Sequence, residues 1–174
     1  MKVILYSGIF LMFLLPFSLY ANGLEYMKKG LACKETDYQC LINNFEKALK
    51  TNTLKKDEEK LALEHLKTNY NAIIDQNLSN WPAQKVEKYC KRGISLSSLT
   101  STTGDMEDIS FYLWIAVSYS DILEDAKAKS WISKAKKLIA KKKYRADCDS
   151  EAVCEAFEQY AYKIISAVEN DDLY

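Results

Sequence analysis

Proline occurs at only two positions in this chain, Pro16 and Pro82, and glycine at only five, and nowhere does a sustained alternation of Val, Ile and Thr mark a half-buried strand. Long stretches free of helix breakers, with apolar residues three and four apart, dictate an all-α fold. The pattern predicts helices at roughly 23–34, 37–51, 56–76, 82–95, 106–123, 126–142 and 150–168. Between the fourth and fifth lies SLSSLTSTTGD, Ser95 to Asp105, the one clear Ser/Thr-rich loop. Neither flank is long enough to bury a core alone, so the loop is a hinge or insertion inside one domain.

The stretch DYQCLINNFEKALK, Asp37 to Lys50, shows how the first two helices must be arranged. Thr36 and Gln39 have capping-box spacing, which starts a new helix there. Leu41, Ile42, Phe45, Ala48 and Leu49 then form one apolar stripe. The preceding LEYMKKGLAC must turn back before Thr36, making an antiparallel hairpin. On one straight helix, seven residues span about 10 Å, beyond the roughly 7 Å that a disulfide tolerates between Cα atoms. Across a tight turn Cys33 and Cys40 can meet, and a bridge between them is predicted. In CDSEAVC, Asp149 or Ser150 caps the last helix, leaving Cys148 just outside it and Cys154 about one turn inside. A Cys148–Cys154 bridge would be the covalent form of a hydrophobic staple. The alternative for both pairs is a longer cross-link joining the two ends of the chain. Cys90 is left over, on the apolar side of EKYCKRG, and is expected to be a buried small hydrophobe.

Residues MKVILYSGIFLMFLLPFSLYANG combine one lysine, an apolar run broken by Pro16, and small residues at Ala21 and Gly23. That layout is a secretory signal segment over 1–21, followed by a single domain over 22–174. A retained membrane anchor is the other structure such a run can form. Export to a periplasmic or extracellular space agrees with the cysteines, since disulfides persist in oxidising surroundings. Beyond residue 21 there are 23 basic and 24 acidic side chains, Lys2 being the only charge before it, so no bulk electrostatic attraction draws the chain to nucleic acid. No membrane span is expected after the signal segment.

Motifs of catalysis are missing. There is no glycine-rich phosphate loop, GxSxG elbow or HExxH pair, and a single histidine, His65, makes a histidine-based metal site improbable. Carboxylates such as Glu58, Glu59, Asp105 and Glu107 sit at helix starts, where they favour the macrodipole. A non-enzyme with no cofactor and no metal is expected. The basic run Lys134 to Arg145 reads as a solvated helix face, and ISFYLWIAVSY, apolar nearly all round, as a central helix burying Trp114.

The segment YMKKGLACKETDYQCLINNFEKAL resembles a tetratricopeptide repeat through Tyr26, Gly30, Phe45 and Ala48. FYLWIAVSYSDILEDAKAKSWISKAKKL resembles it more closely, with Tyr112, Ile115, Ala116 and Tyr119 at first-helix positions and Ala128, Ile132 and Ala135 at those of the second. Between them Leu63, Leu66 and Tyr70 suit a first helix, and Val86, Cys90 and Gly93 a second. Ala48, Gly93 and Ala135 occupy equivalent crossing points at a period longer than the family's roughly 34 residues. The resemblance implies a right-handed α-solenoid of stacked antiparallel hairpins, about 24–52, 56–96 and 106–142, closed by a capping helix at 150–168. The other arrangement open to these helices is an irregular bundle.

From the same resemblance follows a groove lined by the first helix of each unit. Its residues would be Met27, Leu31 and Lys34, then Glu64, Thr68 and Asn71, then Leu113, Val117, Ser120 and Asp121. A protein or peptide segment is the partner such a mixture suits. The expectation is an exported adaptor or scaffold that binds protein. A small exported inhibitor or immunity protein, blocking a toxin or hydrolase in its compartment, is the alternative.

Overall fold

A computed structural model describes residues 22–97, 99 and 105–170. The proposed signal segment, residues 1–21, lies outside them, as does most of the Ser/Thr-rich loop. The described residues form seven α-helices and no strand: α1 (Gly23–Leu31), α2 (Tyr38–Lys50), α3 (Lys56–Asn77), α4 (Ala83–Ser97), α5 (Asp105–Ser120), α6 (Asp125–Lys141) and α7 (Glu151–Glu169). A short 3-10 turn, Lys143–Asp147, precedes α7.

Each helix packs chiefly on its neighbour in sequence, and α7 returns to lie on both α5 and α6. Three antiparallel hairpins result, α1–α2, α3–α4 and α5–α6. Side chains of α2 and α4 meet in matching order, Gln39 with Tyr89 and Glu46 with Arg92, so these second helices run parallel above α3. The fold is therefore an all-α array of repeat-like hairpins, as the helical periodicity requires.

Small residues set the helix crossings. Ala48 and Ala135 have no exposed surface. A Cβ on Gly30 would come within 3.1 Å of the Phe45 ring, and Gly93 lies still closer to Phe111. Phe45 is fully buried and stacks on His65 of α3, ring centroids 4.9 Å apart. Removing such a ring from water contributes about 2 to 3 kcal/mol. His65 is thus a packing residue.

The turn chemistry departs in detail from the capping-box expectation. Asp37, one residue beyond Thr36, caps α2 by accepting from the Cys40 amide at 3.0 Å. A carboxylate there satisfies an otherwise unpaired amide and faces the positive end of the helix dipole. Gln39 is released to bond Asn43 at 3.0 Å and Tyr89. Helix α1 stops at Leu31, short of the expected residue 34, and the freed chain brings Cys33 to Cys40 with Cα atoms 6.0 Å apart. Ser150 caps α7, and the Cys148–Cys154 bridge joins Cα atoms 5.6 Å apart beside it. Cys90 has no exposed surface, and burial pushes its thiol pKa well up, so it packs as a hydrophobe.

A polar device recurs between hairpins. The Tyr70 hydroxyl of α3 donates to Glu46 of α2 at 2.8 Å, and the Tyr119 hydroxyl of α5 donates to Glu87 of α4. In both, a tyrosine on a first helix reaches back to a glutamate on the preceding second helix. A third tie is ionic: Lys67 of α3, its side chain 5% exposed, lies 3.1 Å from Glu107 and 3.3 Å from Asp108 of α5. A buried cation of this kind persists only when paired.

Helix α5 is buried on most sides, as its continuous apolarity predicts, because α7 covers the face that the other helices leave open. Trp114 is 5% exposed and its indole N–H donates to Tyr160 of α7 at 3.2 Å. Arg145 forks between Glu151 and Glu158, and Tyr144 also donates to Glu158, seating the start of α7.

Candidate functional site: a groove between the second helices

Parallel α2 and α4 leave a groove between them whose floor is α3. One half, a cleft of about 480 Å³, is lined by Gln39, Ile42, Asn43 and Glu46 of α2, Tyr70 of α3, and Lys88, Tyr89, Lys91, Arg92 and Ser95 of α4. The other half, about 420 Å³, continues along Leu49, Lys50 and Asn52, with Glu59 and Leu63 of α3 below and Leu96 and Leu99 opposite. Glu46 and Arg92 line both halves and form a bridge at the midpoint, with Arg92 Nε donating to Glu46 Oε1 at 3.0 Å.

The helical period explains the lining. Gln39, Asn43 and Glu46 recur every three or four residues on α2, as do Lys88, Arg92 and Ser95 on α4, so each set forms one row along its helix. Tyr89 makes an edge contact with Tyr70 at 5.8 Å between centroids and packs on Trp81 at 4.7 Å. Lys85 sits 3.9 Å above the Trp81 ring, a cation–π contact that extends the lining beyond the groove's end.

Electrostatically the bridge is self-satisfied. Burial alone would raise the Glu46 carboxyl, but hydrogen bonds from Tyr70 and Arg92 and nearby positive charge outweigh it, and its pKa lies below the ordinary value. Burial and the Glu46 carboxylate push the Tyr70 hydroxyl far up, so it stays a donor. Neither group is poised to exchange a proton near neutral pH, which is what general acid–base work requires. The bridge thus fixes shape and charge at the midpoint of the groove. Among the described residues, no three His, Cys, Asp or Glu side chains are grouped to hold a metal ion. No described helix is long and apolar enough to cross a membrane.

The residues expected to line a first-helix groove are scattered by the packing. Met27, Leu113 and Ser120 are buried at 4%, 0% and 6% exposure and line no open surface. Met27 and Leu113 belong to the core, and α5, which carries Leu113, packs on α4, α6 and α7. Val117, Glu64 and Asn71 are half-buried. Leu31, Lys34, Thr68 and Asp121 are exposed, with Lys34 and Asp121 in turns beyond their helices. These ten residues do not converge on a described cleft, whereas the α2–α4 groove contains none of them. The signal in the sequence is the row Lys88, Arg92 and Ser95 on α4 facing Gln39, Asn43 and Glu46 on α2; the basic run Lys134 to Arg145 lines neither half of the groove.

The chain matches no protein-family model, no curated protein and no solved structure. Fold and groove alone define what it resembles physically.

Proposed function

We propose that this chain is an exported, non-catalytic protein-binding module, a tetratricopeptide-like adaptor that holds a segment of another protein. The observation that supports the reading best is the α2–α4 groove: amides, aromatic rings and cations are set along two parallel helices, on a hairpin stack tied by buried pairs. Such a surface offers hydrogen bonds and apolar contacts together, the mixture peptide recognition uses. Two disulfides closing short loops support an oxidising compartment, in line with the signal-type segment at residues 1–21.

The test is capture from the envelope or medium of the producing cell on the immobilised, disulfide-intact full chain. A defined protein should be retained saturably, be competed by free chain, and be released when the chain is reduced and unfolded. No saturable retention would refute the module. If the retained protein is a hydrolase or toxin whose activity falls on binding, the inhibitor reading replaces the adaptor.

A further inference from the structure

Charge is segregated among the helices of a chain whose formal net charge is zero. The second helices α2, α4 and α6 together carry twelve basic and three acidic side chains. Helices α1, α3, α5 and α7 carry six basic and thirteen acidic ones. Of the three acids on the second helices, Glu46 is engaged by Tyr70 and Arg92, and Glu87 by Lys91 and Tyr119. Asp125, the third, stands in the first turn of α6. The second-helix side is thus predominantly positive, and the groove opens on it, with Glu46 at its midpoint and Glu59 of α3 lining one half.

We propose that this face, through the α2–α4 groove, docks an acidic protein segment carrying at least one aromatic or aliphatic side chain; the proposal rests on the binding-module reading above. Lys50, Lys88 and Arg92 line the two halves of the groove; Lys50 and Arg92 flank Glu46, and their remaining N–H donors, with the Lys88 ammonium, meet the segment's carboxylates. Gln39 and Asn43, one turn apart, present amides to its backbone, and Tyr89, Leu49 and Leu96 supply apolar contact. From Gln39 to Asn52 the groove is about 20 Å long at 1.5 Å per residue, room for about six residues of extended chain. Complementary charge speeds encounter and excludes basic competitors.

Other anionic partners fit the surface less well. A bilayer is flat on this scale and would leave the amide-lined slot empty. A nucleic-acid backbone repeats its charge at short, regular intervals and would place phosphate over the Glu46 carboxylate at the midpoint, whereas a protein segment can set a neutral residue there.

The direct test uses fluorescence anisotropy on the disulfide-intact full chain. The probe is a labelled peptide of about twelve residues alternating Glu with Leu and Tyr, with a Lys-for-Glu counterpart as control. The acidic peptide should bind saturably at about 50 mM salt and weaken at about 300 mM, and the basic one should not bind. The double variant Lys50→Glu/Lys88→Glu should weaken binding at least about tenfold, with unchanged helicity by circular dichroism. Lys28→Glu/Lys163→Glu, the same charge change on α1 and α7, should shift affinity less than about twofold. No saturation, or equal loss in both double variants, overturns the proposal, as does sedimentation with phosphatidylglycerol vesicles without peptide binding.

A photo-cross-linking amino acid placed in turn at Asn43, Ser95, Leu31 and Thr68 separates the two levels. Adducts with a partner protein from Asn43 and Ser95 support the second-helix site. Adducts from Leu31 and Thr68 alone leave the binding module standing and remove this site, and adducts from none of the four remove both.

Discussion

Replacing Gly93 by alanine measures how closely α4 and α5 approach. An ideal Cβ at Gly93 lies 2.5 Å from Cε2 and 2.6 Å from Cζ of Phe111. Carbon atoms in contact rest at about 3.5 to 4.0 Å, so the ring must retreat by about 1 Å. It has nowhere open to go, because Phe111 is fully buried and meets Trp114 edge-on, with centroids 5.9 Å apart. Overpacking of this kind costs about 1 to 3 kcal/mol, against a gain of about 1 kcal/mol from placing alanine in a helix interior. The net expectation is a loss of up to about 2 kcal/mol. Gly30 is the internal comparison: its Cβ would meet Phe45 at 3.1 to 3.3 Å, so the ring need give only a few tenths of an ångström. Gly30→Ala should therefore fall within about 0.5 kcal/mol of wild type. Urea unfolding followed by far-ultraviolet circular dichroism, with both disulfides intact, reads the two variants side by side. In a Gly93→Ala background, Phe111→Leu should cost less than it does alone, since it removes the obstructing ring. Gly93→Ala as stable as wild type, or more so, would refute the close crossing.

Three further outcomes follow from the geometry. Removing either bridge, as Cys33→Ser/Cys40→Ser or Cys148→Ser/Cys154→Ser, frees a short loop and should lower stability by about 2 kcal/mol in urea; an effect below about 0.5 kcal/mol would mean that the turns are fixed without them. Glu46 titrates in the folded chain below its unfolded value of 4.5, so the stabilisation it brings is complete above that pH and is lost as pH falls through the lower folded value. Melting temperature should accordingly drop more steeply on acidification below 4.5 in wild type than in Glu46→Gln, and superimposable profiles would remove Glu46 from the account. Leu123, in the turn after α5, is 79% exposed and has a φ of 59°. Leu123→Gly should raise stability by up to about 1 kcal/mol, because glycine adopts that left-handed conformation without a Cβ clash; a lower melting temperature would count against it.

Much of the fold was legible because it rests on short-range facts. Apolar spacing marked the helices, and the short separations of Cys33 from Cys40 and of Cys148 from Cys154 made local bridges the expectation over a longer cross-link, as found. The repeat resemblance placed Gly93, Ala48 and Ala135 at crossing points, where small residues let helix axes approach, and all three are closely packed. The site was less legible. Met27, Leu113 and Ser120 occupy sequence positions that can face a trough, but burial depends on what lies across from them, and α7 returns over α5 from about 50 residues further along.

By itself the sequence marked seven helices, the turn that folds the first two into an antiparallel hairpin, and two cysteine pairs close enough for local closures, because each depends on residues within a few turns of one another. Only the tertiary structure decided which face stays open. Tyr70 reaching Glu46, Arg92 crossing to the same carboxylate and α7 closing over α5 join residues 24, 46 and 46 positions apart. No local period encodes such pairings; they exist because packed helices leave each buried polar group one place to find a partner.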